Sequence, residues 1–328
     1  MKIAFLMDSL DSIEPECETT SHLMYECNER EHTVYFLEPH DMYIRNNQVV
    51  ARMRNISVDS GMTMADYWPE IIRCSTQDHL IFEAIIELDA LFLRYNPPLH
   101  YQMLEFLQAV NQHVFILNSI SGQLIGNSKL YTLNFPGIIP ETHVSRDPSR
   151  LRKIIDDFGG DMVIKPLQRF GGEGVIKVST QDRLNLNSLI HYYIRAYKPY
   201  AQREAIMVQE YLESVRETGD IRILLLNGEI LGAMRRKPKE DDFRTNVHAG
   251  GKVFAHEVTE GEKRICDAIK EKLIADGLYF VGIDIIGSKL VEINCVSPGG
   301  IPRINRLNND HLEAKVIDFI EENVVTEK

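Results

Sequence analysis

The feature that most constrains this chain is a pair of apolar runs within residues 280–298. Gly287-Ser288 separates the two runs, which is typical of antiparallel strands joined by a tight turn. Three polar side chains interrupt them: Asp284, Glu292 and Asn294. Because a carboxylate is costly to bury without a partner, such a hairpin requires an ion, a ligand or water beside its acidic residues.

The register of this hairpin decides which side chains meet. A two-residue loop pairs Ile286 with Lys289 and places Asp284 and Glu292 on opposite faces, because side chains alternate along a strand. A three-residue loop pairs Ile286 with Leu290 and sets Asp284 directly across from Glu292. The sequence leaves both registers open.

The second register brings three oxygen-bearing side chains together, since Asn294 shares a face with Glu292 in either case. Two carboxylates about 4 Å apart repel by about 4 kcal/mol at an effective dielectric constant of about 20. A divalent cation removes this repulsion, and an all-oxygen set with room for phosphates suits Mg²⁺. The alternative is a polar face open to water. The apolar residues around these side chains favour the metal site.

Length and composition limit the possible functions. The 328 residues allow two or three packed domains. A net charge of −12 argues against nucleic acid or an anionic membrane as a partner, so an anionic ligand requires a local basic cluster. The five cysteines form no C-x-x-C pair, which favours free thiols in a reducing cytoplasm. We identify no signal peptide and no membrane-spanning run, and therefore expect a cytoplasmic protein.

Residues 1–120 alternate strand and helix patterns. Apolar runs lie at 3–7, 33–37, 90–94 and 114–118, with helical patterns at 21–30 and 99–112. This alternation predicts a small parallel α/β sheet. Arg94 ends the third run, where ligands bind in such sheets, and could hold a substrate carboxylate; a surface salt bridge is an equal alternative. Residues 41–78 show no pattern that we can assign.

A second unit begins near residue 119 and places two lysines beside turn-forming residues. Lys129 lies early in a predicted helix, and Lys165 lies at the end of an apolar strand at 161–166. A glycine-rich link at 171–174 then leads into a strand at 175–178. Backbone N–H groups of such a link can surround phosphate oxygens, although most links of this kind are plain turns. The lysine at the preceding strand end favours an anion site.

The densest basic cluster follows a predicted hairpin. Strand patterns at 221–226 and 229–234 flank Asn227-Gly228, a dipeptide typical of type I′ turns. Basic side chains then gather on the second strand and the link after it, with one on the first strand: Arg222, Arg235, Arg236, Lys237, Lys239 and Arg244. In an acidic chain this cluster indicates a local anion site; a solvated loop is the alternative. Amphipathic helices are predicted at 260–276 and 310–323.

The order of these features resembles the ATP-grasp superfamily: Lys129, Lys165-Pro166, the glycine-rich link, Glu210-Tyr211-Leu212, and Asp284 with Glu292-x-Asn294. Within it, the chain resembles the bacterial-type glutathione synthetases over essentially its full length. Further matches are Met7-Asp8, the Arg-Tyr-Asn-Pro-Pro run at 94–98, Lys165-Pro166-Leu167, the strand at 280–287, and Ser297-Pro298. Together they are highly specific for the superfamily and fairly specific for the family.

The resemblance implies an α/β fold of ATP-grasp type. Its parts would be an N-terminal domain at 1–120, a central subdomain with a glycine-rich lid at 121–204, and a C-terminal subdomain with the metal site at 205–328. The implied reaction joins γ-glutamylcysteine to glycine through an acyl phosphate, giving glutathione, ADP and phosphate. The implied cofactors are ATP and Mg²⁺, or Mn²⁺, and the implied assembly is a homo-oligomer, a tetramer.

The resemblance also implies roles for individual residues. ATP would be bound by Lys129, Lys165, Gly171, Gly172, Glu210, Tyr211, Leu212 and Asn246. Two Mg²⁺ ions would be held by Asp284, Glu292 and Asn294, and the catalytic arginines would be Arg222, Arg236 and Arg244. Substrate would be bound by Arg94, Ser297, Pro298 and Gly299. We expect Asp284→Asn or Glu292→Gln to abolish turnover and leave the fold intact.

Two departures from the family pattern concern the substrate pocket. Asn96 stands where the family usually has an acidic residue, and Gly299-Gly300 where it commonly has threonine. These positions bear on the identity of the acid and the amine more than on the ATP chemistry. The alternatives are another ATP-grasp carboxylate–amine ligase acting on a different pair, and a nucleotide-binding protein without the chemistry. Retention of both lysines and of the three metal-site residues argues against the last.

Overall fold

The computed structural model describes residues 1–76, 80–167, 169–179, 181, 183–240, 242–246 and 250–324. The N-terminal unit contains a seven-stranded sheet. Its strands are β1 (Lys2–Leu6), β2 (Thr33–Leu37), β3 (Met42–Arg45), β4 (Gln48–Asn55), β5 (Leu80–Ala84), β6 (Ala90–Leu93) and β7 (Phe115–Leu117). The helices of this unit are α1 (Thr19–Glu29), α2 (Met64–Thr76), α3 (Tyr101–Gln108) and α4 (Ile120–Gly126).

The predicted parallel sheet is confirmed for four of these strands. β1 lies between β2 and β6, β6 pairs with β7, and all three pairings are parallel. The unassigned stretch 41–78 adds an antiparallel hairpin, β3 and β4, in which Asn46 and Asn47 turn the chain with φ of 49° and 64°. It also contributes helix α2, while residues 77 and 78 lie outside the described residues. The Asn-Asn pair is a turn signal that sequence reasoning passed over.

The central unit is a four-stranded antiparallel sheet with two helices. Its strands are β8 (Thr142–Ser145), β9 (Asp161–Pro166), β10 (Ile176–Ser179) and β11 (Ile206–Glu210), and its helices are α5 (Pro148–Phe158) and α6 (Arg183–Ile194). β11 pairs with both β8 and β9. The predicted boundary at 204/205, which puts β11 in the C-terminal unit, is therefore wrong: the central sheet continues to Glu210.

The C-terminal unit is a five-stranded antiparallel sheet in the order β14, β13, β12, β15, β16. These strands are β12 (Asp220–Leu226), β13 (Glu229–Lys237), β14 (Lys252–Ala255), β15 (Phe280–Ile286) and β16 (Lys289–Asn294). The helices are α7 (Ser214–Thr218), α8 (Glu260–Ala275), α9 (Ile301–Asn308) and α10 (Leu312–Asn323). Asn227 and Gly228 have φ of 49° and 76°, which confirms the predicted I′ turn between β12 and β13.

The N-terminal and C-terminal units share their apolar cores, whereas the central unit has its own. Leu91 and Leu93 of β6 belong to one buried cluster with Ile283 of β15. The central core is a separate cluster that includes Leu151, Ile164 and Ile190. The outer units therefore form one packed body, against which the central unit forms a distinct layer. Within the described ranges, no helix is both long and apolar enough to cross a bilayer.

Asn118 connects the first unit to the hairpin that the sequence singled out. Its Nδ2 donates to the carbonyls of Phe280 and Cys295 at 2.6 and 2.8 Å, and its Oδ1 accepts from the N–H of Phe280 at 2.7 Å. These bonds are buried, where an unpaired backbone group would cost about 1–3 kcal/mol. The start of β15 and the end of β16 are thus fixed relative to the N-terminal sheet.

Candidate active site

The β15–β16 hairpin combines parts of the two predicted registers. Ile286 pairs with Lys289 around a two-residue turn, yet Asp284 lies across from Glu292. A bulge reconciles these facts, since the register shifts after Asp284 and Val291 has no opposing residue. The prediction that a two-residue loop separates the carboxylates onto opposite faces is therefore wrong, because the extra residue restores the alternation.

Asp284 is buried in a network of two aspartates and two arginines. Arg222, its neighbour on β12, donates from Nε and Nη2 to the two carboxylate oxygens at 2.5 and 2.9 Å. Arg236 lies 2.9 Å from Oδ1 of Asp284 and forms a second two-point contact with Asp220. Burial raises the pKa of Asp284, but the charges and hydrogen bonds of the two arginines outweigh it and hold the pKa at about 2.

Glu292 is less enclosed and faces two lysines of the central region. Its Oε1 lies 3.2 Å from Nζ of Lys129, which is the first residue of a short 3-10 helix rather than of an α-helix. Lys165 Nζ donates to Oε1 of Gln209 on β11 at 2.6 Å. Burial lowers the pKa of Lys165 to about 8, assisted by the charge of Lys129 and opposed by that of Glu292. Sequence reasoning missed Gln209, although a polar residue within the apolar run of β11 was a usable signal.

If Lys165 binds the phosphates of ATP, as the family resemblance implies, this pKa predicts a pH dependence of nucleotide affinity. Since the ammonium of Lys165 loses its proton above pH 8, affinity for a triphosphate should fall by about tenfold between pH 7 and pH 9. Titration with a non-hydrolysable ATP analogue at pH 7, 8 and 9 measures it. Lys165→Arg keeps its charge over this range and should flatten the profile. A wild-type affinity that does not change with pH would contradict the placement of Lys165 at the phosphates.

Two cavities meet at this hairpin. The first lies between the central and C-terminal units and is lined by all the predicted ATP contacts except Gly171: Lys129, Lys165, Gly172, Glu210, Tyr211, Leu212 and Asn246. The predicted catalytic Arg244 and the predicted metal ligands Asp284 and Glu292 also line it. The second has a volume of about 390 Å³ and is lined by Gly171, Arg222, Arg236, Asn294, Ser297 and Gly299, among others. Lys129, Asn246 and Glu292 line both cavities.

The wall of the first cavity is apolar where the chain leaves β11. Tyr211, Leu212 and Val215 line it beside Phe243, whose ring packs edge-on against Tyr211 with centroids 5.9 Å apart. The opposite end carries the lysines and carboxylates. A ligand with a flat apolar group and an anionic tail matches both ends.

The glycine-rich link covers the junction of the cavities. Gly171, Gly172 and Gly174 have φ of 62°, 78° and 69°, conformations that side chains other than glycine rarely adopt. A Cβ atom on Gly172 would lie 2.7 Å from Oδ1 of Asn246. Arg244 Nη1 donates to the carbonyl of Gly172 at 3.4 Å, which ties the link to the C-terminal unit.

Family models match the chain in two parts. Residues 1–122 match the N-terminal domain of prokaryotic glutathione synthetase, and residues 128–309 match its ATP-grasp domain. The chain belongs to the prokaryotic glutathione synthetase family. Among its relatives, a glutathione synthetase of Gloeobacter violaceus is 38% identical, and the match covers 98% of this chain and 97% of that protein. One from Synechocystis is 35% identical, with 98% and 99% covered.

Solved structures show the same fold at low sequence identity. The D-cycloserine synthetase DcsG has a TM-score of 0.65 at 13% identity, and the match covers 98% of this chain and 99% of that one. A RiPP-associated ATP-grasp ligase of Chryseobacterium gregarium, solved in complex with ADP and a leader and core peptide, also has a TM-score of 0.65, at 14% identity, with 99% of this chain and 98% of that one covered. These likenesses establish the ATP-grasp fold of this family member.

Arg94 is not where its predicted role requires it. The side chain is buried, donating to Oγ1 of Thr20 at 3.0 Å and to the carbonyl of Pro298 at 3.1 Å, and it stacks on the rings of Phe92 and Phe280. Burial lowers its pKa to about 10. Arg94 lines neither cavity, and its carbonyl accepts from Oγ of Ser297 at 3.3 Å. Arg94 is therefore neither a substrate contact nor part of a surface salt bridge, the two alternatives from the sequence. Its side chain and carbonyl instead anchor residues 297–298 beside the second cavity.

The predicted metal ligands fit Mg²⁺ in chemistry and in free capacity. The hairpin offers two carboxylates and an amide, and hard oxygen ligands are what Mg²⁺ prefers. Asp284 already accepts three arginine contacts out of the roughly four that a carboxylate can accept. Within the described residues, Oε2 of Glu292 forms no hydrogen bond or ion pair, whereas the unpaired buried atom of Asn294 is Nδ2, a donor that cannot ligate a cation. Glu292 is thus the ligand with the most open coordination capacity.

Proposed function

We propose that this chain joins γ-glutamylcysteine to glycine at the expense of ATP, releasing glutathione, ADP and phosphate. One observation carries the proposal: the bulged hairpin places Asp284 across from Glu292, and Glu292 lines both the first and the second cavity. A carboxylate substrate in the second cavity would therefore lie next to the phosphate end of the first. The match to glutathione synthetases over nearly the whole chain supports the choice of substrates.

The first step is transfer of the γ-phosphoryl group to the cysteinyl carboxylate of the dipeptide. A carboxylate oxygen attacks phosphorus, the bond to the bridging oxygen breaks, and ADP leaves, which produces an acyl phosphate. Such transfers depend on positioning and on charge neutralisation more than on a protein nucleophile. Lys129, Lys165 and Arg244 line the first cavity and would supply positive charge to the phosphates, while Tyr211 and Leu212, which line it as well, would contact the adenine.

The second step is attack by the neutral amine of glycine on the acyl carbon. Phosphate leaves with the electron pair of the broken C–O bond and takes the proton that the amine gives up. Arg222 and Arg236 line the second cavity and are held rigidly by Asp284 and Asp220. Cationic donors fixed in this way stabilise the oxyanion of the tetrahedral intermediate. The glycine-rich link at 171–174 would exclude water from the acyl phosphate.

Asp284, Glu292 and Asn294 are the residues that would hold the divalent metal. When bound, Mg²⁺ would neutralise charge on the transferring phosphoryl group. Mn²⁺ accepts the same oxygen ligands, so we propose Mg²⁺ as the main ion and Mn²⁺ as a substitute. Comparing turnover after chelation and repletion with each ion separates them.

We also propose that the enzyme acts in the cytoplasm as a homo-oligomer, a tetramer. The five free thiols support a reducing compartment. The assembly rests on the family resemblance. Light scattering of the purified protein, independent of activity, tests it.

The proposed function is tested by ADP release from the purified protein with ATP, Mg²⁺ and pairs of acids and amines. We expect turnover with γ-glutamylcysteine plus glycine and glutathione as the product identified by mass spectrometry. Omitting either substrate should reduce ADP release to the background rate. Turnover with another acid–amine pair, but not with this one, would overturn the assignment and leave a different carboxylate–amine ligase.

A further inference from the structure

The second cavity reaches a pair of opposite charges beyond the metal-site residues. Glu18 and Arg303 both line it, together with Cys17 and Asn96. Glu18 immediately precedes α1, and Arg303 lies in the first turn of α9. Thr19 connects the two helix starts, because its Oγ1 accepts from the N–H groups of Gly300 and Ile301 at 3.0 and 3.3 Å. The two charged side chains therefore project from backbone that is fixed on both sides.

In the part of the chain that the structure describes, neither side chain forms an ion pair or a hydrogen bond with a side chain of opposite charge, and the charge nearest in effect to Glu18 is that of the buried Arg94. Glu18 occupies the N-cap position of α1, but its side chain forms no capping bond, and no described residue hydrogen-bonds or ion-pairs with its carboxylate. Arg303 donates from Nη1 to the carbonyl of Cys17 at 3.4 Å and has no described carboxylate within ion-pair distance. Partly buried charges with spare hydrogen-bonding capacity are typical of ligand contacts.

The other charged side chains of the second cavity have ion-pair partners, Arg169 with Glu173 among them, and the proposed mechanism assigns Arg222, Arg236 and Lys129 to the reacting groups. Arg222 and Arg236 are bound by Asp284 and Asp220, and Lys129 faces Glu292. The reacting carboxylate of the substrate must lie near Lys129 and Glu292, because these two residues also line the first cavity, where the phosphates would bind. The remote end of a dipeptide substrate is then left to the side of the cavity that carries Glu18 and Arg303.

We propose that Glu18 binds the α-ammonium group and Arg303 the α-carboxylate of the γ-glutamyl residue of the substrate. The inference rests on the proposed function and adds the residues that recognise the non-reacting end of the dipeptide. A carboxylate and a guanidinium facing one cavity match the two charges of a free amino-acid head, whereas an α-linked dipeptide presents its ammonium without the adjacent carboxylate. Both residues position the substrate and take no part in bond making.

The test pairs each side chain with the substrate group that it contacts. N-glutarylcysteine lacks the α-ammonium, and N-(4-aminobutanoyl)cysteine lacks the α-carboxylate. Glu18→Gln should lower kcat/KM for γ-glutamylcysteine by about 10- to 100-fold, the usual value of a hydrogen bond to a charged group, with the loss in KM. The same variant should leave kcat/KM for N-glutarylcysteine within about twofold of wild type, since the contact is already absent. Arg303→Gln should behave in the same way towards N-(4-aminobutanoyl)cysteine.

Matched controls lie close by. Glu16→Gln removes an exposed carboxylate two residues from Glu18, and Arg306→Gln removes an exposed guanidinium on α9; neither residue lines the cavity. Both controls should keep the wild-type KM. Glu18→Asp and Arg303→Lys retain the charges and should recover part of the loss.

The possible outcomes separate the two hypotheses. If Glu18→Gln or Arg303→Gln lowers kcat/KM equally for γ-glutamylcysteine and for its matched truncated substrate, the inference is overturned while the proposed function stands. Wild-type protein that uses both truncated substrates as well as γ-glutamylcysteine would also overturn it, and this measurement requires no variant to fold. Wild-type protein that does not turn over γ-glutamylcysteine with glycine would overturn the proposed function and the inference together.

Discussion

Glu292→Gln should lower kcat by about 10³-fold, because the proposed function puts this carboxylate where the phosphates and the metal would meet. Its effect on the free energy of unfolding should stay within about 0.5 kcal/mol. The structural reason is that Glu292 remains partly exposed and its carboxylate has one ion pair, at 3.2 Å, with Lys129. Saturating ADP-release assays and urea unfolding at pH 7 measure the two quantities.

The Glu229–Lys270 pair provides a matched control for this variant. It is also a contact between a glutamate and a lysine, but it lies on the surface and lines neither cavity. Glu229→Gln should leave both turnover and stability unchanged. Unchanged turnover in Glu292→Gln would remove the hairpin from the chemistry. A large loss of stability would mean that the carboxylate is a structural rather than a functional group.

Much of the fold follows from local patterns. The helix predicted at 260–276 is observed as α8 at Glu260–Ala275, and its start is well defined: Thr259 Oγ1 accepts from the N–H of Glu262 at 3.3 Å, and Glu262 Oε2 accepts from the N–H of Thr259 at 2.8 Å. The strand at 161–166 was predicted equally well from its apolar run. In contrast, α9 was not predicted, because it has only eight residues and its buried residues, Ile301, Pro302 and Ile304, all lie in its first turn.

The site was less predictable because it depends on one irregularity. The bulge at Val291 cannot be read from the hairpin, since both regular registers satisfy its apolar pattern. β16 is an edge strand, and the N–H of Leu290 donates to the carbonyl of Ile138, at 2.8 Å, in a loop that precedes β8. A contact with a segment so distant in sequence stabilises the observed register, which explains why local reasoning left it open.

The partners of charged residues also required the tertiary structure. Arg94 ends a strand at the edge where ligands bind, yet its donors turn inward to Thr20 and Pro298. In the same way, sequence order grouped Asp284 with the metal ligands, while the neighbouring strand β12 supplies the arginine that neutralises it. Asp284 therefore serves both the stability of the sheet and the function of the site, and the two hairpin carboxylates should differ under mutation.

Asp284→Asn should lose turnover and also destabilise the protein, by about 3–5 kcal/mol, as expected when one partner of a buried ion pair is removed. The expectation that both carboxylate variants leave the fold intact is thus revised for this residue. Asp284 is buried, and its replacement leaves Arg222 without a described carboxylate and Arg236 with Asp220 alone. Urea unfolding at pH 7 measures the loss.

The pH dependence of the difference in unfolding free energy between wild type and Asp284→Asn shows whether the charge of Asp284 causes it. The pKa of Asp284 is about 2 in the folded protein and, for an ordinary aspartate, about 3.9 in the unfolded chain. The folded state therefore binds fewer protons, so the stability that this carboxylate contributes is complete above pH 4 or so and is lost as the pH falls towards about 2. The difference in unfolding free energy between wild type and Asp284→Asn should therefore decrease as the pH falls from about 4 to about 2.

Asp318→Asn is the matched control for the buried aspartate. Asp318 also contacts an arginine, Arg30 at 2.7 Å, but its side chain is 55% exposed. Because exposed ion pairs contribute about 0–1 kcal/mol, this variant should unfold almost as wild type does at every pH. Equal stability losses in the two variants would contradict the buried network. A gap between wild type and Asp284→Asn that does not depend on pH between 4 and 2 would show that the lost stability comes from packing rather than from charge.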